Sequence, residues 1–175
     1  MAQICFKTPD QKEKDFVFRL AYAAFSSPLS WKTIGDCERS LDPWFTDPVF
    51  RLGLAYEQDP VAFSFLRYCS PRIAEEYEIL GGSFLQLQPA PCIASLDMLA
   101  VEEGFRIRGF GEILLRSVVE DARNQGISRL YALCYGAAQG QSLGLFLKNG
   151  FLKVIDHPRA YVDGSPGTLV VCDLL

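Results

Sequence analysis

Arg106-Ile107-Arg108-Gly109-Phe110-Gly111 has the residue types and spacing of an anion site at the mouth of a helix. The first N–H groups of a helix lack intrahelical partners and carry the positive end of its dipole, so an anion is stabilised there if side chains leave room. Gly109 and Gly111 present no Cβ, and Arg106 and Arg108 add positive charge. A P-loop would need Lys-Ser/Thr after its last glycine, where this chain has Glu112-Ile113. A dinucleotide fingerprint would need a third Gly or Ala three residues past Gly111, where Leu114 stands.

Other chemistry-bearing residues are sparse. His157 is the only histidine and sits in the polar stretch His157-Pro158-Arg159, which reads as surface. The six cysteines, at 5, 37, 69, 92, 134 and 172, are evenly spread and mostly inside apolar runs. They read as small buried hydrophobes, not as a disulfide framework, and none has the close pair spacing of a zinc site. No metal is therefore expected. Cys134 closes an apolar run with no base in view and reads as an unreactive thiol.

The elements that must position the turn follow from periodicity. Ile93–Val101 and Arg129–Tyr135 read as strands flanking a helix over Gly111–Asn124, which Gly126 stops. That helix turns Leu114, Leu115, Val118, Val119 and Ala122 to one face, so it packs on a sheet. Strand, helix, strand is a βαβ unit, with a right-handed crossover and parallel strands. Upstream, Ile4–Lys7 is extended, Gln11–Phe25 is helical, and a weaker helix covers about Trp31–Arg39. Phe50–Tyr56 and Val61–Tyr68 form an antiparallel hairpin through Glu57-Gln58-Asp59-Pro60. Downstream, a helix over about Gln141–Lys148 is stopped by Gly150 and followed by strands Phe151–Asp156 and Thr168–Asp173. Ser70–Pro91, with Gly81-Gly82 and Pro89-Ala90-Pro91, reads as an elaborated loop.

Arg106, Gly109 and Gly111 fill the pattern Arg/Gln-x-x-Gly-x-Gly/Ala after a strand ending in Val101, and Phe146-Leu-Lys-Asn-Gly150-Phe151 supplies an aromatic, three residues and Gly-Phe. In these features the chain resembles the GNAT acyltransferase superfamily. The resemblance implies an α/β fold of the α+β kind: a mixed, mostly antiparallel sheet with a central βαβ unit that binds acyl-CoA. It implies acetyl-CoA as cosubstrate, with the amides of the turn, Arg106, Ile107, Arg108, Gly109, Phe110 and Gly111, on the pyrophosphate. Leu99, Ala100 and Val101 would flank the pantetheine arm, and a strand N–H there would meet the oxyanion. Gln139 and Ser142 stand where the family often has Asn and Ala near the pantetheine.

For catalysis, the resemblance implies a carboxylate base at Asp97. The other reading of Asp97 is an acceptor at a strand bulge or a partner for an arginine. The family's usual tyrosine acid is replaced by Phe146, which would still line the cofactor site. Tyr135, Tyr131 or Ser142 would then substitute, or the thiolate leaves unassisted, or the domain binds acyl-CoA without turnover. Tyr135 is taken as the acid. The acceptor should meet Phe16–Trp31, Trp44 and Phe45, Ser70–Pro91 and Asp156–Gly167, which carry Tyr22, Phe25, Glu75, Glu76, Tyr77, Glu78 and Tyr161. A small amine or amino-acid-like acceptor fits that lining; a protein N-acetyltransferase and a non-catalytic binding module stay open.

Composition sets the remaining bounds. With 175 residues, 49% of them hydrophobic, the chain suits a single domain over 1–175. A net charge of −4 argues against nucleic-acid binding. No apolar run is long enough for a membrane span, and the N-terminus lacks the pattern of an export signal, so a cytoplasmic protein is expected. The oligomeric state is left open, a homodimer included.

Overall fold

The computed structural model describes residues 3–68, 92–135 and 139–174, with the backbone alone at 139–141. Seven strands form one sheet in the order β1-β2-β3-β4-β5-β7-β6. They are β1 (Gln3–Phe6), β2 (Phe50–Tyr56), β3 (Pro60–Tyr68), β4 (Ile93–Val101), β5 (Arg129–Tyr135), β6 (Leu152–His157) and β7 (Gly167–Asp173). Every neighbouring pair is antiparallel except β4 and β5. The single parallel pair is the one that the βαβ reading requires.

Helices α1 (Gln11–Phe25) and α2 (Ile34–Leu41) start at capping boxes. Asp10 accepts from the Glu13 amide at 2.9 Å while Glu13 accepts from the Asp10 amide at 3.0 Å. Thr33 and Asp36 repeat the arrangement on α2, which shifts its start to Ile34 from the expected Trp31. A 3₁₀ turn, Asp42–Phe45, follows directly. Helices α3 (Phe110–Asn124) and α4 (Gln139–Lys148) both run into left-handed glycines, Gly126 and Gly150. The Phe151 amide reaches back to the Phe146 carbonyl at 3.1 Å, a Schellman-type stop that buries Phe151 and starts β6 one residue later than expected. The expected loop Ser70–Pro91 lies outside the described residues.

The two faces of the sheet carry separate cores. Leu115, Val118 and Ala122 of α3 and Phe146 of α4 pack on Leu66, Ala94, Leu96 and Leu130. On the other face Phe16, Val17 and Leu20 of α1, with Cys37 and Leu41 of α2, pack on Phe63, Phe65, Met98 and Ala100. Ala94 and Leu96 thus face α3, whereas Met98 and Ala100 face α1, although all four are even-numbered positions of β4. The register explains this: Leu66 pairs with Leu96 and Phe65 with Met98, so Asp97 is an extra residue. A one-residue bulge turns every later side chain to the opposite face.

Candidate functional site

The parallel pair comes apart halfway. β4 and β5 are in register from Ile93–Arg129 to Leu96–Ala132, yet β4 continues to Val101 and β5 to Tyr135. Past Leu96 the two strands diverge, and their facing edges have no strand partner among the described residues. Into this gap opens a cleft of about 1120 Å³, lined by Asp97–Val101 of β4 and Ala132–Tyr135 of β5. It continues past Arg106, Gly109 and Gly111 to Ser142 and Phe146 on α4, and in the other direction to Phe25, Trp31, Trp44 and Arg67.

At one end of the cleft stands the start of α3. The expected glycine turn is a 3₁₀ turn, Glu103–Arg108, closed by Gly109 at φ 82° and ψ 0°. Gly109 is the N-cap of α3 and provides no side-chain cap, so the leading amides of this helix lack the partner that α1 and α2 receive from Asp10 and Thr33. Arg106 donates from Nε to the Val101 carbonyl at 3.2 Å, tying the turn back to the strand that precedes it. A Cβ on Gly111 would stand 3.4 Å from Val101 Cγ2 and 3.5 Å from Leu145 Cδ2, between β4 and α4. Ile107 projects into solvent at the rim, 98% exposed.

Glu112, in the first turn of α3, brings a negative charge to this end. Lys148 Nζ lies 2.8 Å and Arg116 Nη2 2.6 Å from its two oxygens, and the hydrogen bond from Lys148 holds its carboxyl below the usual carboxylate range. The local charge is therefore not negative overall. Lys148 lines the cleft and was not singled out from sequence.

Two residues expected at the turn point elsewhere. Arg108 pairs with Glu57 of the β2–β3 hairpin and lies over the rings of Phe105 and Phe110, at 4.9 and 5.7 Å. Its charge is neutralised away from the cleft, against the expectation that it reinforces the anion site. Phe110 is buried in the core beneath β3. Both residues leave only their backbone amides to the turn. The side chain of Gln139 lies outside the described residues.

Asp97, carried by the bulge, faces Arg67 of β3. Arg67 Nε is 2.8 Å from Asp97 Oδ2 and Nη2 donates to Oδ1 at 3.2 Å, with both side chains only 13% exposed. Ser95 Oγ donates to the same carboxylate. Both features weighed against a base, the bulge and the arginine, are present, and Asp97 nonetheless lines the cleft. Arg67 was missed, though a signal existed: it is the one basic residue in Pro60–Tyr68, as Asp97 is the one acidic residue in Ile93–Val101.

Across the gap, the Tyr135 hydroxyl donates to Asp163 Oδ2 at 3.1 Å and lies 3.2 Å from Ser165 Oγ. Its ring meets Tyr161 edge-on at 5.1 Å. Ser165, with Ser27 and Tyr135, holds the Asp163 carboxyl below the usual range. Phe146 lines the cleft with its ring edge-on to Phe151 at 5.0 Å. Burial pushes the Cys134 thiol up to about 12, consistent with an inert thiol. The five described cysteines carry no disulfide, and no group of three potential metal ligands occurs among the described residues.

The sequence model of the Acetyltransferase (GNAT) family matches residues 22–151. The chain belongs to this family. Its fold is that of GNAT proteins of known structure, at identities that speak for the fold alone. A GNAT-family protein from Desulfovibrio desulfuricans superposes with a TM-score of 0.72 at 15% identity, over all of both chains. The ribosomal-protein-S18-alanine N-acetyltransferase of Escherichia coli gives 0.70 at 14%, covering 99% of this chain and 94% of its own. A GNAT acetyltransferase from Elizabethkingia anophelis with acetyl-CoA bound gives 0.64 at 18%, covering 99% and 98%. No curated protein sequence matches. Among the described residues no helix is long and apolar enough to cross a membrane.

Proposed function

We propose that the protein is a single-domain, acetyl-CoA-dependent N-acetyltransferase acting on a small amine. The observation that carries the reading is the strand gap between β4 and β5 opening onto the uncapped start of α3 within one cleft. Leading amides without a side-chain cap suit a pyrophosphate, and the β4 edge over Leu99–Val101, which has no strand partner on the β5 side among the described residues, suits the amide groups of a pantetheine arm. The GNAT structure from Elizabethkingia anophelis, of the same fold, was solved with acetyl-CoA.

In this reading the arm lies along Leu99–Val101, between them and Ser142 and Phe146, and brings the thioester to the bulge. The neutral amine attacks the thioester carbon, an N–H of β4 receives the developing oxyanion, and the C–S bond breaks to release the thiolate of coenzyme A. Asp97 takes the proton that the amine loses, directly or through water, while Arg67 and Ser95 hold its carboxylate in place. Tyr135 is the hydroxyl offered to the departing sulfur: its one proton turns from Asp163 to the thiolate while Ser165 Oγ donates to the phenol oxygen, and solvent reprotonates the phenolate.

Calorimetry with acetyl-CoA tests the binding half. Saturable binding is expected, and its absence at millimolar concentration overturns the reading. Gly111→Glu would place a carboxylate between Val101 and Leu145, against the pyrophosphate, and should remove binding while circular dichroism still reports a folded chain. One observation favours a second reading, a module that binds acyl-CoA without turning it over: Phe146, packed on Phe151, has no proton to give. Thiol release with any amine excludes that second reading.

A further inference from the structure

The acceptor half of the cleft lies beyond the bulge, and its walls differ in chemistry from those of the turn. Phe25 and Leu29 come from the end of α1 and the loop after it, Trp31 from the approach to α2, Trp44 from the 3₁₀ turn and Phe50 from the start of β2. Trp44 and Phe50 stack face to face, with centroids 4.4 Å apart and planes 7° apart, as one rigid aromatic pair. Trp44 also stands edge-on to buried Phe65 at 5.3 Å, which fixes its angle. Trp31 is held from α2, its indole N–H donating to Ser40 Oγ at 3.2 Å.

Charge narrows the occupant further. Among the described residues lining this half, the charged ones are Arg67 and Asp97, which form an ion pair with each other. These described side chains therefore add no surplus charge of either sign. Size is limited as well, because Ser27 Oγ donates to Asp163 Oδ2 at 3.0 Å and so ties the loop after α1 to the β6–β7 connection, whose Tyr161 lines the cleft.

We infer that the acceptor is a small primary amine carried on a flat aromatic body, held among Phe25, Trp31 and the Trp44–Phe50 pair with its nitrogen at the Asp97 bulge. Flat aromatic walls gain most from an aromatic guest, through area and offset stacking. The inference rests on the acetyl-transfer reading and goes beyond it by naming the acceptor class.

The chain has only two tryptophans, Trp31 and Trp44, and both line this half, so intrinsic fluorescence reports on it directly. 2-Phenylethylamine should quench that fluorescence saturably, and its kcat/KM in a thiol-release assay should exceed those of spermidine and of a lysine-containing peptide by about tenfold or more. Trp44→Ala should raise its KM about tenfold with the KM for acetyl-CoA unchanged, and Trp44→Phe should restore most of the loss. Acetyl-CoA binding accompanied by a preference for spermidine or for any peptide overturns the inference alone, as does acetyl-CoA binding with no turnover of the aromatic amine. Absence of acetyl-CoA binding overturns the reading beneath it.

Discussion

Asp97 reaches the cleft because of a defect in a strand. Were β4 regular, Met98 and Ala100 would join Ala94 and Leu96 under α3, and the core on α1 would lose both. The bulge gives each face its apolar residues and leaves the carboxylate at the turning point, where Arg67 holds it through two contacts. Removing one member of such a pair leaves the other's charge without its counter-ion in a poorly solvated wall, so Arg67→Leu should cost about 3 kcal/mol in urea unfolding. Adding Asp97→Leu should recover most of that loss, and a double variant as unstable as the single one would show that the pair is not the cause. For catalysis, Tyr135→Phe should lower kcat on the order of 100-fold with little change in KM, measured by thiol release. An unchanged kcat would remove Tyr135 from the proposed mechanism. At this scale the sequence was readable where residue type decides the matter, as at Gly109, which takes the left-handed conformation that closes the turn. It was not readable where pairing decides: the partners of Arg67 and Arg108, and Lys148 beside Glu112, come from other elements, and no local spacing announces them.

The start of α3 owes its openness to a backbone conformation. Gly109 sits at φ 82°, where an L side chain strains the chain, and a Cβ there would meet nothing within 4 Å. Substitution at Gly109 therefore changes conformational energy without changing contacts. Gly109→Ala should cost about 1–2 kcal/mol of stability by urea unfolding. It should also weaken acetyl-CoA binding if the left-handed turn aims the amides of α3; calorimetry showing wild-type affinity would separate the turn's geometry from binding. Most elements were legible because their signals are local. The ends of β2, β4 and β5 fall where the apolar runs end, and Gly126 and Gly150 stop their helices in the left-handed conformation that glycine favours. α2 was misplaced because the Thr33–Asp36 capping box outweighs the apolar pattern beginning at Trp31. The gap between β4 and β5 had no local signal, since both strands carry apolar residues to their ends.

Across the whole molecule, one buried carboxylate adds to the apolar packing that joins α1 to the antiparallel edge β1-β2-β3. Glu13 of α1 is 6% exposed, accepts from the amide of Asp10 and the hydroxyl of Tyr56 on β2, and lies 2.6 Å from Lys7 Nζ, just past β1. Burial alone would push its carboxyl up. The hydrogen bonds from Lys7, Tyr56 and Asp10 outweigh burial and hold it below the usual range, while burial and the bond to Glu13 push the Tyr56 hydroxyl up. A folded-state value below the unfolded one contributes stability that is complete above the unfolded carboxylate pKa of about 4.3 and lost as pH falls through the folded value. Asp36, Glu112, Asp156 and Asp163 are also held low, so the wild-type protein loses stability in acid from several sites at once. Comparison with Glu13→Gln cancels those sites and isolates this one. The variant should be less stable by about 1–2 kcal/mol at neutral pH, since an amide keeps the shape but loses the charge-assisted bonds to Lys7 and Tyr56. The difference should narrow as pH falls below about 4, because protonation removes the same charge from the wild-type carboxyl. A difference that stays constant between about pH 7 and pH 3 in urea unfolding would assign the loss to packing around the side chain instead of to its charge.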